Sequence, residues 1–164
     1  MSLTFLVGGA RSGKSTLAVE LATRAGGAVT FIATGEARDD EMAERIELHR
    51  AERPVEWQTV EEPVDLAAAL AAAGDVAVVD CLSLWVANLL ERDDDVTAAN
   101  AAALHSAHGR RRTIVVSNEV GLGVVPATEL GRRYRDTLGR VNADWAAAAD
   151  EALLVVAGRT LELR

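Results

Sequence analysis

A single cysteine, Cys81, is all that the chain contains. That count excludes an intrachain disulfide and a cysteine-built zinc site, and it fits a reducing, cytoplasmic setting in which the thiol is expected to be buried. Aromatic residues are scarce at 4%, while the 49% apolar share leans on alanine, so the helices are expected to pack closely. Basic residues are outnumbered: 17 Lys plus Arg face 25 Asp plus Glu, a net charge of −8. Such a balance repels polyanions at long range and argues against general nucleic-acid binding or an anionic membrane surface. Local arginine clusters can still hold a small phosphate. Nowhere do about eighteen uncharged apolar residues run together, so no membrane insertion is expected. The opening "MSLTFLVGG" lacks a basic segment ahead of its apolar run and does not read as a signal peptide.

No internal repeat, low-complexity tail or Pro/Gly/Ser linker divides the sequence, and residues 1–164 are expected to form a single domain. Short β-rich runs alternate with helical patterns. The strand candidates are "LTFLV" (3–7), "AVTFIAT" (28–34), "DVAVVD" (75–80), "TIVVSN" (113–118) and "EALLVVAG" (151–158), with "TLELR" returning antiparallel through Gly158. Helices are expected near 14–25, 39–52, 63–73, 83–92, 97–108 and 127–149. Asp39 and Asp40 can cap the second of these, Pro63 suits the first turn of the third, and Gly74 suits its stop. The "DDD" at 93–95 and the "GRRR" at 109–112 read as solvated loops. This order predicts an α/β fold with a mostly parallel central sheet flanked by helices.

"GGARSGKS", residues 8–15, fits G-x-x-x-x-G-K-[ST] and stands where that pattern needs to stand, after a strand and before a helix. Glycines let backbone N–H groups curl around phosphate oxygens, and the helix N-terminus adds positive potential. Lys14 can reach the β- and γ-phosphates, and Ser15 can ligate Mg²⁺. "VAVVD" ends in Asp80, the usual second partner for that ion, although many buried strands end in Asp as a turn or cap. No Asn-Lys-x-Asp guanine reader occurs, which speaks against a signalling GTPase, and the acidic balance speaks against a recombinase or helicase. A small-molecule kinase is the plain reading of these residues.

"RIELHRAERP", residues 45–54, asks for more than a kinase. On a helix Arg45, His49 and Arg53 share one face at i, i+4 spacing. Flanking guanidinium groups favour the neutral, nucleophilic imidazole and attract phosphate, yet the same spacing also suits a histidine on a solvated charged helix.

The blocks "GGARSGKS", "IATGEARDDEMAERIELHRAERPVEWQTVEEP" (32–63), "VVDCLSLWVANLL" (78–90), "VVSNEVGLGVVP" (115–126) and "GRRYRDTLGRVNADWAAAADEALLVVAGRTLELR" (131–164) together resemble the bifunctional adenosylcobinamide kinase/adenosylcobinamide-phosphate guanylyltransferase family of cobalamin biosynthesis. The resemblance runs nearly end to end, and the second and fourth blocks are its specific part. It implies a RecA-like P-loop fold, ATP or GTP as phosphoryl donor, Mg²⁺, and adenosylcobinamide and its phosphate as substrates. It further implies that His49 attacks the α-phosphorus of GTP and carries GMP as a phosphoramidate, with Lys14 as the second catalytic residue. The nucleotide site would comprise Gly8, Gly9, Ala10, Arg11, Ser12, Gly13, Lys14 and Ser15, then Ala33, Thr34 and Gly35. Arg50, Ala51, Glu52, Arg53, Glu61 and Asp80 would complete it. A homotrimer is implied as well. Residues 91–112 are shorter than in the longer members of that family.

The remaining candidates are plainer. Asn118 and Glu119 follow a strand at the edge where open α/β sheets bind ligands, and Gly121 and Gly123 permit a mobile loop there. Arg132, Asp136 and Arg140 form a ladder expected on a solvated helix face. Trp57, Trp85 and Trp145 are expected in the core or an interface, and His105 and His108 on the surface.

Overall fold

The computed structural model describes residues 1–36, 44, 50 and 53–164. Seven strands form one sheet: β1 (Ser2–Gly8), β2 (Val29–Ala33), β3 (Gln58–Glu61), β4 (Val76–Asp80), β5 (Arg112–Asn118), β6 (Glu151–Val156) and β7 (Arg159–Leu163). Their order across the sheet is β3-β2-β4-β5-β1-β6-β7. All neighbours are parallel except β6 and β7, which pair antiparallel as "TLELR" predicted. The described helices are α1 (Lys14–Ala25), α2 (Leu66–Ala72), α3 (Leu82–Glu91), α4 (Val96–Ala107) and α5 (Glu129–Ala148). The expected helix at 39–52 lies outside the described residues apart from Glu44 and Arg50, both helical in backbone. Its proposed caps, Asp39 and Asp40, lie outside them too.

Central strands read as unbroken apolar runs because both of their faces are covered. Leu3, Phe5, Val7, Ala77, Val79 and Val115 join one core with Trp85 of α3 and Leu138, Val141 and Trp145 of α5. Leu6, Val76, Val78, Ile114 and Val116 join the other, under Ala18 and Ala22 of α1. The small α1 residues let that helix lie close to the sheet, as the alanine-rich composition suggested. Trp85 and Trp145 are fully buried, and each indole N–H finds a partner, Val64 O and Asn100 Oδ1, both at 2.8 Å. Truncating either to alanine would cost about 3–5 kcal/mol. Trp57 packs against the α1-side core, and His105 and His108 are exposed.

Three expectations are corrected. β3 was not foreseen: "QTVE" is four residues at the sheet edge, only half buried, and carries no apolar run to announce it. The third helix starts at Leu66, not near Pro63, because the Asp65 carboxylate caps it by accepting the Ala68 N–H at 3.0 Å. "GRRR" is not simply a solvated loop. The Arg110 guanidinium donates to the carbonyls of Leu70, Ala73 and Ser106, closing the C-terminal ends of α2 and α4, and Arg112 opens β5 and reaches Thr4 Oγ1 at 3.0 Å. In "DDD", by contrast, the residues are exposed, with Asp95 capping α4. Asp136 of the helix ladder pairs with Arg135 at 2.8 Å, while Arg132 donates to the carbonyls of Pro126 and Ala127.

Candidate active site

Parallel pairing places the carboxyl ends of β3, β2, β4, β5 and β1 on one edge of the sheet. Glu61, Ala33 and Asp80 stand in a single row across β3, β2 and β4, Asp80 pairs in turn with Val116 of β5, and Asn118 at the end of β5 pairs with Gly8. Residues scattered over 110 positions of sequence are therefore brought to one edge by strand order alone.

Gly8 ends β1, and the chain turns through Gly9, Ala10, Arg11, Ser12 and Gly13 into α1 at Lys14. Arg11 and Gly13 take positive φ, 55° and 97°, the left-handed conformations from which anion-binding turns of backbone N–H groups are built. A Cβ on Gly8 would run into the Val155 carbonyl of β6, so the residue is glycine for reasons of packing. The Gly158 N–H, from the turn between β6 and β7, donates to Ser12 O at 2.8 Å and pins the loop from outside. No side chain caps α1, and no acid lies in its first turn, whereas α2, α4 and α5 are capped by Asp65, Asp95 and Thr128. The N–H groups of α1 are thus left for an anion.

Lys14 is buried, and its ammonium donates to Gly9 O at 2.6 Å and Ser12 Oγ at 3.3 Å. Burial lowers its pKa below the usual lysine value, against the opposing pull of the Cys81 and Asp80 charges. A desolvated ammonium held inside the loop, beside the uncapped start of α1, is chemically suited to an anion such as phosphate. Ser15 and Asp80 are half buried, and among the described residues neither side chain makes a hydrogen bond. A free hydroxyl and a free carboxylate, both oxygen donors, fit a magnesium ion that keeps waters and phosphate oxygens as its other ligands.

Thr34, expected in the nucleotide site, is built into the ends of two strands. It is fully buried; its hydroxyl accepts from Cys81 N–H at 2.9 Å and donates to Cys81 O at 2.7 Å, and its N–H donates to Asp80 O at 3.2 Å. Asn88 Nδ2 donates to Thr34 O at 2.8 Å and to Pro63 O at 3.1 Å. Every polar group of Thr34 is engaged, so it ties the ends of β2 and β4 together and holds Ala33 and Gly35 at the edge. Asn88 was not foreseen; nothing in "LWVANLL" distinguishes an amide that clamps two loops from one on a wet helix face.

Arg50 pairs with Glu61 at 3.3 Å, and the Arg53 guanidinium lies 3.6 Å from the centre of the Phe31 ring. Both arginines therefore stand at the β2–β3 end of the edge, the Arg53 contact being of the cation–π kind. His49, Ala51 and Glu52, with Arg45, lie outside the described residues. Cys81 is buried as expected; burial pushes its thiol up to about 11, and Ser83 Oγ is its partner at 2.8 Å. Among the described residues no group of three His, Cys, Asp or Glu side chains gathers to hold a metal, and no helix is long and apolar enough to cross a membrane.

A family model described as cobinamide kinase / cobinamide phosphate guanyltransferase matches residues 4–163. The bifunctional adenosylcobalamin biosynthesis protein CobP of Pseudomonas aeruginosa is 48% identical to this chain, the match covering 97% of it and 95% of that protein. The bifunctional adenosylcobalamin biosynthesis protein CobU of Escherichia coli is 38% identical, with 99% of each chain covered. Among solved structures, the flagellar accessory protein FlaH from Methanocaldococcus jannaschii superposes with a TM-score of 0.54 at 15% identity, covering 97% of this chain and 74% of that one. The RadB recombinase gives 0.50 at 17% identity, covering 93% and 73%. These two likenesses concern the fold, which is the RecA-like P-loop arrangement.

Proposed function

Because this chain belongs to the cobinamide kinase / cobinamide phosphate guanyltransferase family, we propose that it joins two phosphate transfers in one P-loop unit. In the first, the aminopropanol hydroxyl of adenosylcobinamide attacks the γ-phosphorus of ATP or GTP. In the second, a ring nitrogen of His49 attacks the α-phosphorus of GTP. A nitrogen–phosphorus bond forms, the bond from the α-phosphorus to the α,β-bridging oxygen breaks, and pyrophosphate leaves. Adenosylcobinamide phosphate then displaces His49 to give adenosylcobinamide-GDP. The observation that carries the reading is the match over residues 4–163 in a chain whose phosphate loop is fully formed.

Lys14 and the N–H groups from Gly8 to Ser15 would neutralise charge on the β- and γ-phosphates, which serves attack at either phosphorus. Ser15 and Asp80 would hold Mg²⁺, whose chemistry when bound is to offset phosphate charge. Arg50 and Arg53, with Ala33, Gly35, Ala51, Glu52 and Glu61, would line the nucleotide's other end, and Thr34 would keep that segment in place. The uncovered side chains Val156, Leu161 and Leu163 of β6 and β7 offer apolar area for subunit contact in a homotrimer, a state that light scattering can read. A cytoplasmic location suits the lone reduced thiol.

The test uses GTP labelled in the α- or the γ-phosphate. Only α-label should remain on the protein, in an adduct labile to acid and stable to base, and adenosylcobinamide phosphate should discharge it. His49→Ala should lose the adduct and the guanylyl transfer while still forming adenosylcobinamide phosphate. Full guanylyl transfer by His49→Ala would mean that GMP passes directly or through another nucleophile.

A further inference from the structure

Three polar residues stand at the end of β5 and one position beyond it, and their side chains have different employments. Ser117 is fully buried on the α5 side, its hydroxyl donating to Asn142 Oδ1 at 2.6 Å. The Glu119 carboxylate accepts the Gly121 N–H. Asn118 lies between them, and strand alternation turns it to the face of Ile114 and Val116, which α1 covers. Its side chain makes no hydrogen bond among the described residues, although it is half buried. Its backbone, in contrast, is held firmly: Asn142 Nδ2 donates to Asn118 O at 3.0 Å, and the next residue's N–H donates to Gly8 O at 3.0 Å.

The register locates this free amide. Asn118 is the direct partner of Gly8, so its Cα stands one strand spacing, about 4.8 Å, from the start of the phosphate loop. The Lys14 ammonium, the group that meets the β- and γ-phosphates, lies against Gly9 O at 2.6 Å, one residue further along. Asp80 is on the other flank, paired with Val116, two residues before Asn118 on the same face. The terminal phosphate would therefore sit among Lys14, Asp80 and Asn118. Building on the two-transfer reading above, we propose that Asn118 is a catalytic residue of the γ-phosphoryl step alone, its amide N–H donating to a γ-phosphoryl oxygen. In that step the bond from the acceptor oxygen to the γ-phosphorus forms as the bond to the β,γ-bridging oxygen breaks. The hydroxyl proton leaves to water, and the nucleoside diphosphate departs. An amide suits the position because it donates without a charge of its own, whereas a carboxylate there would repel the phosphate.

The experiment compares Asn118→Ala and the isosteric Asn118→Asp with the parent in both half-reactions: γ-label passed to adenosylcobinamide, and α-label retained from GTP in the protein adduct. Removing one preorganised donor should lower kcat for phosphoryl transfer about 100-fold in Asn118→Ala, and further in Asn118→Asp. In Asn118→Ala the nucleotide KM and the rate of adduct formation should stay within about threefold of the parent. Equal losses in both half-reactions of Asn118→Ala would make Asn118 a structural residue and overturn the proposal. So would phosphoryl transfer within about threefold of the parent in either variant. If the parent itself neither phosphorylates adenosylcobinamide nor retains α-label, the two-transfer reading falls and takes this role with it. If the parent does both, only the role of Asn118 is at stake.

Discussion

Gly8→Ala should damage the phosphate loop through packing and not through backbone conformation. Gly8 has no positive φ, so alanine can adopt its dihedral angles. The new Cβ, however, meets the Val155 carbonyl of the neighbouring strand, and a backbone atom paired in a sheet has no rotamer to escape into. β6 has to move, and forced overpacking of this kind costs about 1–3 kcal/mol. The displacement is passed on to the turn after β6, whose Gly158 N–H holds Ser12 O at 2.8 Å. Loss of that bond adds about 1 kcal/mol. The sum is about 2–4 kcal/mol, and for a chain of this length each kcal/mol lowers Tm by about 2–4 °C, so a fall of about 5–15 °C is expected in a circular-dichroism melt. Gly9→Ala is the control, since nothing lies within 4 Å of a Cβ there; its change should stay within about 0.5 kcal/mol. A Gly8→Ala protein melting within about 2 °C of the parent, or a Gly9→Ala protein falling as far, would refute the packing argument.

Burial holds the Lys14 pKa below its unfolded value of 10.5, so carrying the charge costs stability at neutral pH, a cost that disappears as pH rises through the lowered pKa toward 10.5. Lys14→Met should accordingly melt no lower than the parent at pH 7 yet lose the upward Tm shift that Mg·GTP gives the parent, and a retained shift would contradict the phosphate role. Cys81 and Tyr134 have the opposite sign: burial raises them to about 11 and about 12, so the stability they contribute is complete below pH 9 and is lost as pH climbs through those values. Urea titrations from pH 8 to 11 should show the parent losing roughly 2–3 kcal/mol more than Cys81→Ala, and parallel curves would refute the assignment. Asn88→Ala leaves the Thr34 and Pro63 carbonyls without their amide partner and should cost about 2–4 kcal/mol in urea unfolding; a change below about 0.5 kcal/mol would show that water replaces it.

Local pattern determined much about this protein. The apolar runs of β1, β4 and β5 and the helical spacing between them report burial along the chain, and burial has a period that sequence displays. The phosphate loop was legible because its chemistry is contiguous: "GGARSGKS" contains its own glycines, its ammonium and its hydroxyl within eight residues. The edge strand β3 was not legible, since a half-buried strand of four residues has too little apolar surface to set a period. Nor were the clamps. Gly158 on Ser12, Asn88 on Thr34 and Pro63, and Arg110 on the ends of two helices are contacts between residues distant in sequence. Their side chains look the same on paper whether they reach water or a carbonyl. Strand order is the largest such decision: β5 enters between β4 and β1, and only that insertion sets Asn118 beside Gly8 and within two residues of Asp80's level. Sheet order is settled by which apolar faces can be covered at once, a condition on the whole chain that no window of sequence contains.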